Sequence, residues 1–211
     1  MLIVSFVGDS GTGKTYIISK LTEKLSNRGY MVGCIKHCPH GFNLDHPGKD
    51  SYNFKEKGAY GVVVHSPGNI GVIKTVNEPV LLKDLIIDNL IDSDFIFAEG
   101  FKESKGIKKI ELLRKKVSEE AKVKDAIAII CDFNIKTEKK LLNSNNIEEI
   151  IKFLIDLKEK EENIISVRVN NENLPLNPFT KSMLKSAISG LIEPLKRTDK
   201  SIKKIDIKME V

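Results

Sequence analysis

Apolar positions along the chain change period in a regular way. Residues 2–7 form a short, nearly unbroken apolar run that ends on Gly8, the pattern of a buried strand. Ile17, Ile18, Leu21 and Leu25 then recur at helical spacing over residues 14–28, and Arg28-Gly29 supplies a stop. Residues 30–36 predict a second strand. The chain therefore opens strand, loop, helix, strand, the beginning of a parallel α/β sheet. Residues 37–50 are polar and irregular, with Pro39, Gly41, Pro47 and Gly48. A loop this long in a compact domain is usually functional. Residues 50–57 predict a short helix closed by Gly58, and residues 60–65 and 69–76 a hairpin turning at Ser66-Pro67-Gly68. A helix is predicted from Pro79 to about residue 89. Strands are predicted at 94–98, 108–114 and 126–131, and an amphipathic helix at 147–158.

The charge cluster Lys158-Glu159-Lys160-Glu161-Glu162 marks a predicted boundary between a main domain, 1–162, and an accessory unit, 163–211. In the accessory unit, residues 164–169 and 174–176 predict a hairpin around an Asn-rich turn. A helix at 179–195 and a half-exposed strand at 201–209 follow. The expected fold class is α/β with a mostly parallel sheet, plus a small C-terminal β-β-α-β appendage.

The strongest chemical signal is Gly8-Asp9-Ser10-Gly11-Thr12-Gly13-Lys14-Thr15, which meets G-x-x-x-x-G-K-[ST] at every fixed position. Glycines let successive N–H groups curl inward around phosphate oxygens, and the helix that starts here adds its positive dipole end. Lys14 is expected to reach the β- and γ-phosphates and Thr15 to ligate Mg²⁺, so the expected fold is a P-loop NTPase and the expected ligand a triphosphate with magnesium. A second candidate is Glu99, delivered by the apolar strand before it to the carboxyl edge of the sheet. A carboxylate there holds Mg²⁺ or orients an attacking water, although Asp is the commoner acid at this place. Lys36, His37 and Asp50 flank the loop after the second strand and are candidate ligand contacts. His37, Cys38 and His40 offer zinc donors but lack an obvious fourth ligand. No Asn/Thr-Lys-x-Asp guanine reader is present, so the residues leave the base open.

Composition changes the picture at one place. Of 34 basic and 29 acidic residues, giving net +5, residues 101–124 hold nine Lys or Arg and four Glu, an excess as large as the whole chain's. Such a segment suits an anionic partner. Aromatic residues to stack bases are missing there beyond Phe101, so no nucleic-acid partner is expected. Three cysteines make no disulfide framework, the start lacks a basic n-region, and no run reaches about 18 apolar residues. A cytoplasmic protein without a membrane partner is expected.

The P-loop at 8–15, Ile-Lys-His at 35–37, Asp45 with Gly-Lys-Asp-Ser at 48–51, Glu-Gly-Phe-Lys at 99–102 and Lys-Ile-Glu-Leu-Leu-Arg at 109–114 resemble, in order, the molybdopterin-guanine dinucleotide biosynthesis adaptor (MobB) family. The resemblance covers roughly residues 1–158. It implies GTP binding with at most weak GTPase activity, a homodimer, and a role beside the molybdopterin guanylyltransferase that acts on molybdopterin to give its dinucleotide. The alternative is a P-loop small-molecule kinase. A kinase normally carries a lid of arginines, and Arg28, Arg114, Arg168 and Arg197 form no evident lid cluster in the sequence.

Overall fold

The computed structural model describes residues 1–161, 167–169, 172–192 and 194. The chain forms two compact units, Leu2–Leu154 and the segment from Ile155 onward with Met1.

The larger unit begins with strand β1 (Leu2–Val7), helix α1 (Lys14–Ser26) and strand β2 (Val32–Lys36). The apolar stripe of α1 is buried at Ile17, Ile18, Leu21 and Leu25, the four positions whose spacing predicts it. Helix α2 (Asp50–Glu56), the antiparallel hairpin β3 (Gly61–Ser66) and β4 (Asn69–Lys74), and helix α3 (Leu82–Asn89) follow. Residues 79–81 precede the helix instead of opening it: Leu81 is extended, at φ −68° and ψ 143°. Strands β5 (Phe95–Glu99), β6 (Lys108–Leu112), β7 (Ala126–Cys131) and β8 (Lys140–Asn143), then helix α4 (Ile147–Glu159), complete the main fold. β8 is an element that periodicity misses. It is four residues long, Lys-Leu-Leu-Asn, without alternation, and only Leu142 is buried.

The sheet runs β2-β5-β1-β6-β7-β8, and each of its pairings is parallel. The central strands are covered on both faces and so read as continuous apolar runs. Phe6 and Phe97 meet edge to face at 5.4 Å in this core. The connection from β5 to β6 crosses β1, so the strand order reverses beside the end of β1. In open α/β sheets that reversal opens a crevice at the carboxyl edge.

In the second unit, β9 (Arg168–Val169) pairs antiparallel with β10 (Glu172–Asn173), so the hairpin's second strand lies at 172–173 and residues 174–177 are irregular. Helix α5 (Pro178–Ile192) starts on Asn177, whose Oδ1 accepts the Thr180 N–H at 2.8 Å, with Pro178 at the first helical position. The strand expected at 201–209 lies outside the described residues.

Candidate functional site

The loop from Gly8 to Gly13 leaves the end of β1 and turns directly into α1. Gly8 has φ 142°, and a Cβ there would stand 2.5 Å from the Leu112 carbonyl oxygen. Any side chain at this position would collide with the backbone of β6. Gly13 takes the left-handed conformation, φ 91°, as the N-cap of α1, with no side-chain cap on the helix's first N–H groups. Helix N-terminal N–H groups without a side-chain cap are suited to an anion. Thr12 closes the turn, its hydroxyl donating to the Asp9 carbonyl at 2.9 Å. The Lys14 ammonium arches back over the loop and donates to the carbonyls of Gly8 at 2.9 Å and Asp9 at 2.8 Å.

β1 and β5 run side by side with Phe6 opposite Glu99. This register brings the Thr15 hydroxyl to 2.9 Å from Glu99 Oε2. The other carboxylate oxygen stands 3.5 Å from the Lys36 ammonium, because β2 lies on the far side of β5 with Lys36 opposite Glu99. The end of β5 is fastened by Ser5, which donates to the Gly100 carbonyl, and by the Gly100 N–H, which bonds Phe6 O at 3.0 Å. His37 joins the same edge through its N–H on Glu99 O at 3.0 Å, and its ring lies 5.1 Å from that of Phe101. Phe101 has φ 56°, unusual for a bulky residue. Thr15 and Glu99 offer adjacent hard oxygen donors, the kind that Mg²⁺ takes, and Lys14 supplies the cation for a polyphosphate. The residues present therefore fit a magnesium–triphosphate group.

Thus Lys14, Thr15, Glu99, Lys36 and His37 are brought to one edge, with Asp9, Ser10, Gly11, Thr12 and Gly13 in the loop above it. Asp50 stands apart. It is exposed in the first turn of α2, and among the described residues no hydrogen bond or ion pair ties it to the P-loop or Glu99. Among the described residues no group of three His, Cys, Asp or Glu side chains is disposed to hold a metal.

A sequence profile described as "Molybdopterin guanine dinucleotide synthesis protein B" matches residues 3–132. The chain belongs to that family. The curated adapter protein of molybdopterin-guanine dinucleotide biosynthesis from Escherichia coli is 32% identical over 166 residues, 75% of this chain and 94% of its own length. The corresponding protein from Haemophilus influenzae is 30% identical over 156 residues, 72% of this chain and 86% of its own length. A crystal structure of molybdopterin-guanine biosynthesis protein B (mobB) superposes with a TM-score of 0.60 at 28% identity, covering 75% of this chain and 100% of that one.

Within this family fold the segment 114–125 has a place that its charge alone does not reveal. It is strapped against the P-loop. The Asp9 carboxylate accepts the Ser118 hydroxyl at 2.8 Å and the Lys122 ammonium at 2.6 Å on the same oxygen. Arg114 Nη1 lies 3.4 Å from Gly11 O. The strap is anchored from below by Glu111, only 2% exposed, which accepts the N–H groups of Lys122 at 2.8 Å and Val123 at 3.1 Å. Lys109, 4% exposed, pairs with Asp125 at 2.7 Å. Of the nine basic side chains in 101–124, two are therefore held inside the chain: Lys109 is buried on Asp125 and Lys122 lies on Asp9. The only sequence sign of this was a charged pair, Lys109 and Glu111, set among Ile110, Leu112 and Leu113.

Proposed function

We propose that this chain is a GTP-binding accessory protein that assists conversion of molybdopterin to its guanine dinucleotide in molybdenum (or tungsten) cofactor biosynthesis. Family membership and the adapter relatives support the pathway. The observation that carries nucleotide binding is the 2.9 Å pairing of Thr15 and Glu99 beside Lys14, on a loop with free helix N–H groups. When bound, Mg²⁺ neutralises charge on the β- and γ-phosphates. The chain's own residues would do the rest: the loop N–H groups would hold phosphate oxygens, Lys14 would leave the loop carbonyls for the polyphosphate, and Glu99 would orient a water. Hydrolysis on this site is at most slow.

The test is a titration of the purified protein with GTP, ATP and CTP in the presence of Mg²⁺, repeated on Lys14→Ala. GTP is expected to bind tightest, and the variant to lose at least about 2 kcal/mol through the missing charge-assisted contact. Equal affinity in the two proteins removes the assignment. A second reading, phosphoryl transfer to a small molecule, is favoured by one observation, the approach of Arg114 to Gly11. Detection of a phosphorylated small-molecule product at rates above GTP hydrolysis would establish it.

The guanylyltransferase is the expected partner, and a homodimer the expected assembly. The hairpin β3–β4 supports the dimer, because Val63 and Ile70 are 67% and 70% exposed. No helix among the described residues is long and apolar enough to cross a membrane, and the cytoplasm is the proposed compartment. Residues 163–211 are proposed as an accessory unit. A chain ending at Glu162 is expected to keep its GTP affinity while altering assembly or partner binding.

A further inference from the structure

Asp9 poses an electrostatic problem for the site just proposed. It is the first residue after Gly8, and it brings a carboxylate to a loop whose other features attract phosphate. An unpaired carboxylate there repels a polyphosphate. In the structure that carboxylate is not unpaired. One of its oxygens, Oδ2, takes both the Lys122 ammonium at 2.6 Å and the Ser118 hydroxyl at 2.8 Å. Lys122 first, then Ser118, holds the Asp9 carboxyl below its ordinary range, so Asp9 is ionised at neutral pH. The same contact raises Lys122.

Lys122 is not a loose surface lysine that happens to reach Asp9. Its backbone N–H is fixed at 2.8 Å on Glu111 Oε1, and the neighbouring Val123 N–H at 3.1 Å on Glu111 Oε2. Glu111 is buried in β6, the strand whose partner β1 carries the P-loop. The Lys109–Asp125 pair pins the far end of the strap at 2.7 Å. A bidentate buried carboxylate therefore sets where the Lys122 side chain starts. Arg114 opens the strap and lies against Gly11 O, and Arg114 and Ser118 exchange backbone hydrogen bonds at 3.0 and 3.1 Å.

We propose that Lys122 is a positioning residue for nucleotide binding: carried on a strap held by Glu111, it neutralises Asp9 and so makes the P-loop accept a polyphosphate. The inference rests on the nucleotide-binding reading above, and it assigns a task to the segment between β6 and β7. Lys122 acts through Asp9, not by touching the nucleotide.

That distinction gives the test. Mg²⁺–GTP affinity is measured for the full chain and for Lys122→Ala, Asp9→Asn and the double variant, each checked by thermal melting. Lys122→Ala is expected to weaken GTP about tenfold, the size of unmasking one charge beside a triphosphate at an effective dielectric intermediate between protein and water. Asp9→Asn is the reference for the double variant: in its background the loss of Lys122 is expected to cost much less than in the parent. The double variant is expected to recover most of the affinity lost in Lys122→Ala, because the repelling charge is gone although the strap contact is still broken. Inorganic tripolyphosphate should follow the same order, since the effect is on phosphate and not on the base. A double variant as weak as Lys122→Ala overturns the proposal and makes the contact a mere strap fastening. Equal affinity of Lys122→Ala and the parent overturns it as well. Where Lys122→Ala fails to fold, Lys122→Gln with Asp9→Asn gives the same comparison. A parent chain that binds neither GTP nor tripolyphosphate overturns the nucleotide reading, and this inference with it.

Discussion

The six-stranded sheet and the β3–β4 hairpin are built from much the same residues and end in opposite situations. Both are rich in Val and Ile. In the sheet, Phe95, Ile96, Phe97 and Ala98 are wholly buried between layers. In the hairpin, Val62 pairs with Ile73 and Val63 with Val72, yet Val63, Val64, Ile70 and Val72 are all exposed. Strand propensity is satisfied in both cases, because β-branched side chains fit a pleated backbone. What differs is the neighbour. A two-stranded ribbon is marginal without something to pack on, whereas the sheet has helices to cover it. The lesson is that an apolar strand pattern reports the need for a cover, not which cover meets it.

Phe97→Ala removes a core ring in edge-to-face contact with Phe6 and is expected to cost about 3–5 kcal/mol of unfolding free energy by chemical denaturation. Val63→Ala on the hairpin is expected to change the same quantity by no more than about 0.5 kcal/mol at a concentration where the chain is monomeric. A large loss at Val63 under those conditions would mean that the hairpin is already covered within one chain. Next, Val63→Glu with Ile70→Glu places charges on the exposed ribbon. The expected outcome in analytical ultracentrifugation is a shift toward monomer with GTP affinity retained. An unchanged dimer would put the interface elsewhere.

At the sheet's edge, Glu99→Gln keeps the shape of the side chain and removes its charge. Thr15 retains an oxygen partner, and the exposed Lys36 loses an ion pair of little value. Melting should barely move, while the Mg²⁺ dependence of GTP binding weakens by about 1–2 kcal/mol, the worth of a hydrogen bond or ligand contact to a charged group. A fall in melting temperature with unaltered magnesium dependence would make Glu99 a structural residue.

The smallest effect expected is acid-linked. Lys122 and Ser118 lower the Asp9 carboxyl below 3.8 in the folded chain. A depressed folded value means that the ionised form carries stability above the ordinary value. That stability is lost as pH falls through the folded value, below about pH 4. In carboxyl-resolved NMR the Asp9 midpoint should lie below 3.8 in the parent and move up toward it in Lys122→Ala. Coincident midpoints would show that the pair is absent in solution.

Much of this molecule was legible before its structure. The loop Gly8–Thr15 is readable because its chemistry is local: glycines, a lysine and a hydroxyl must follow one another for a backbone to wrap phosphate. The stripe Ile17, Ile18, Leu21 and Leu25 is readable because helix period is local too, and all four are buried. The run ahead of Glu99 predicted a buried strand ending in a carboxylate, and β5 is that strand. β8 escaped because four residues with one buried side chain carry too few repeats to show a period.

Tertiary structure alone decided the rest, and the reason is distance along the chain. Thr15 and Glu99 meet across 84 positions, and Asp9 and Lys122 across 113. No local pattern encodes which strand lies beside which. The parallel register of β1 with β5 sets the first contact, and the pairing of β1 with β6 brings the second within reach. Burial reverses the meaning of Lys109 and Glu111, which count as surface charge in a linear tally. In the fold they are desolvated, so each must be paired, and they hold the strap instead of a partner. The sequence by itself determined a strand, a phosphate loop, a helix and an acidic edge. The sheet order determined that the edge meets the loop and that a segment rich in lysine is bound to it, because long-range pairing is settled by packing all the elements at once.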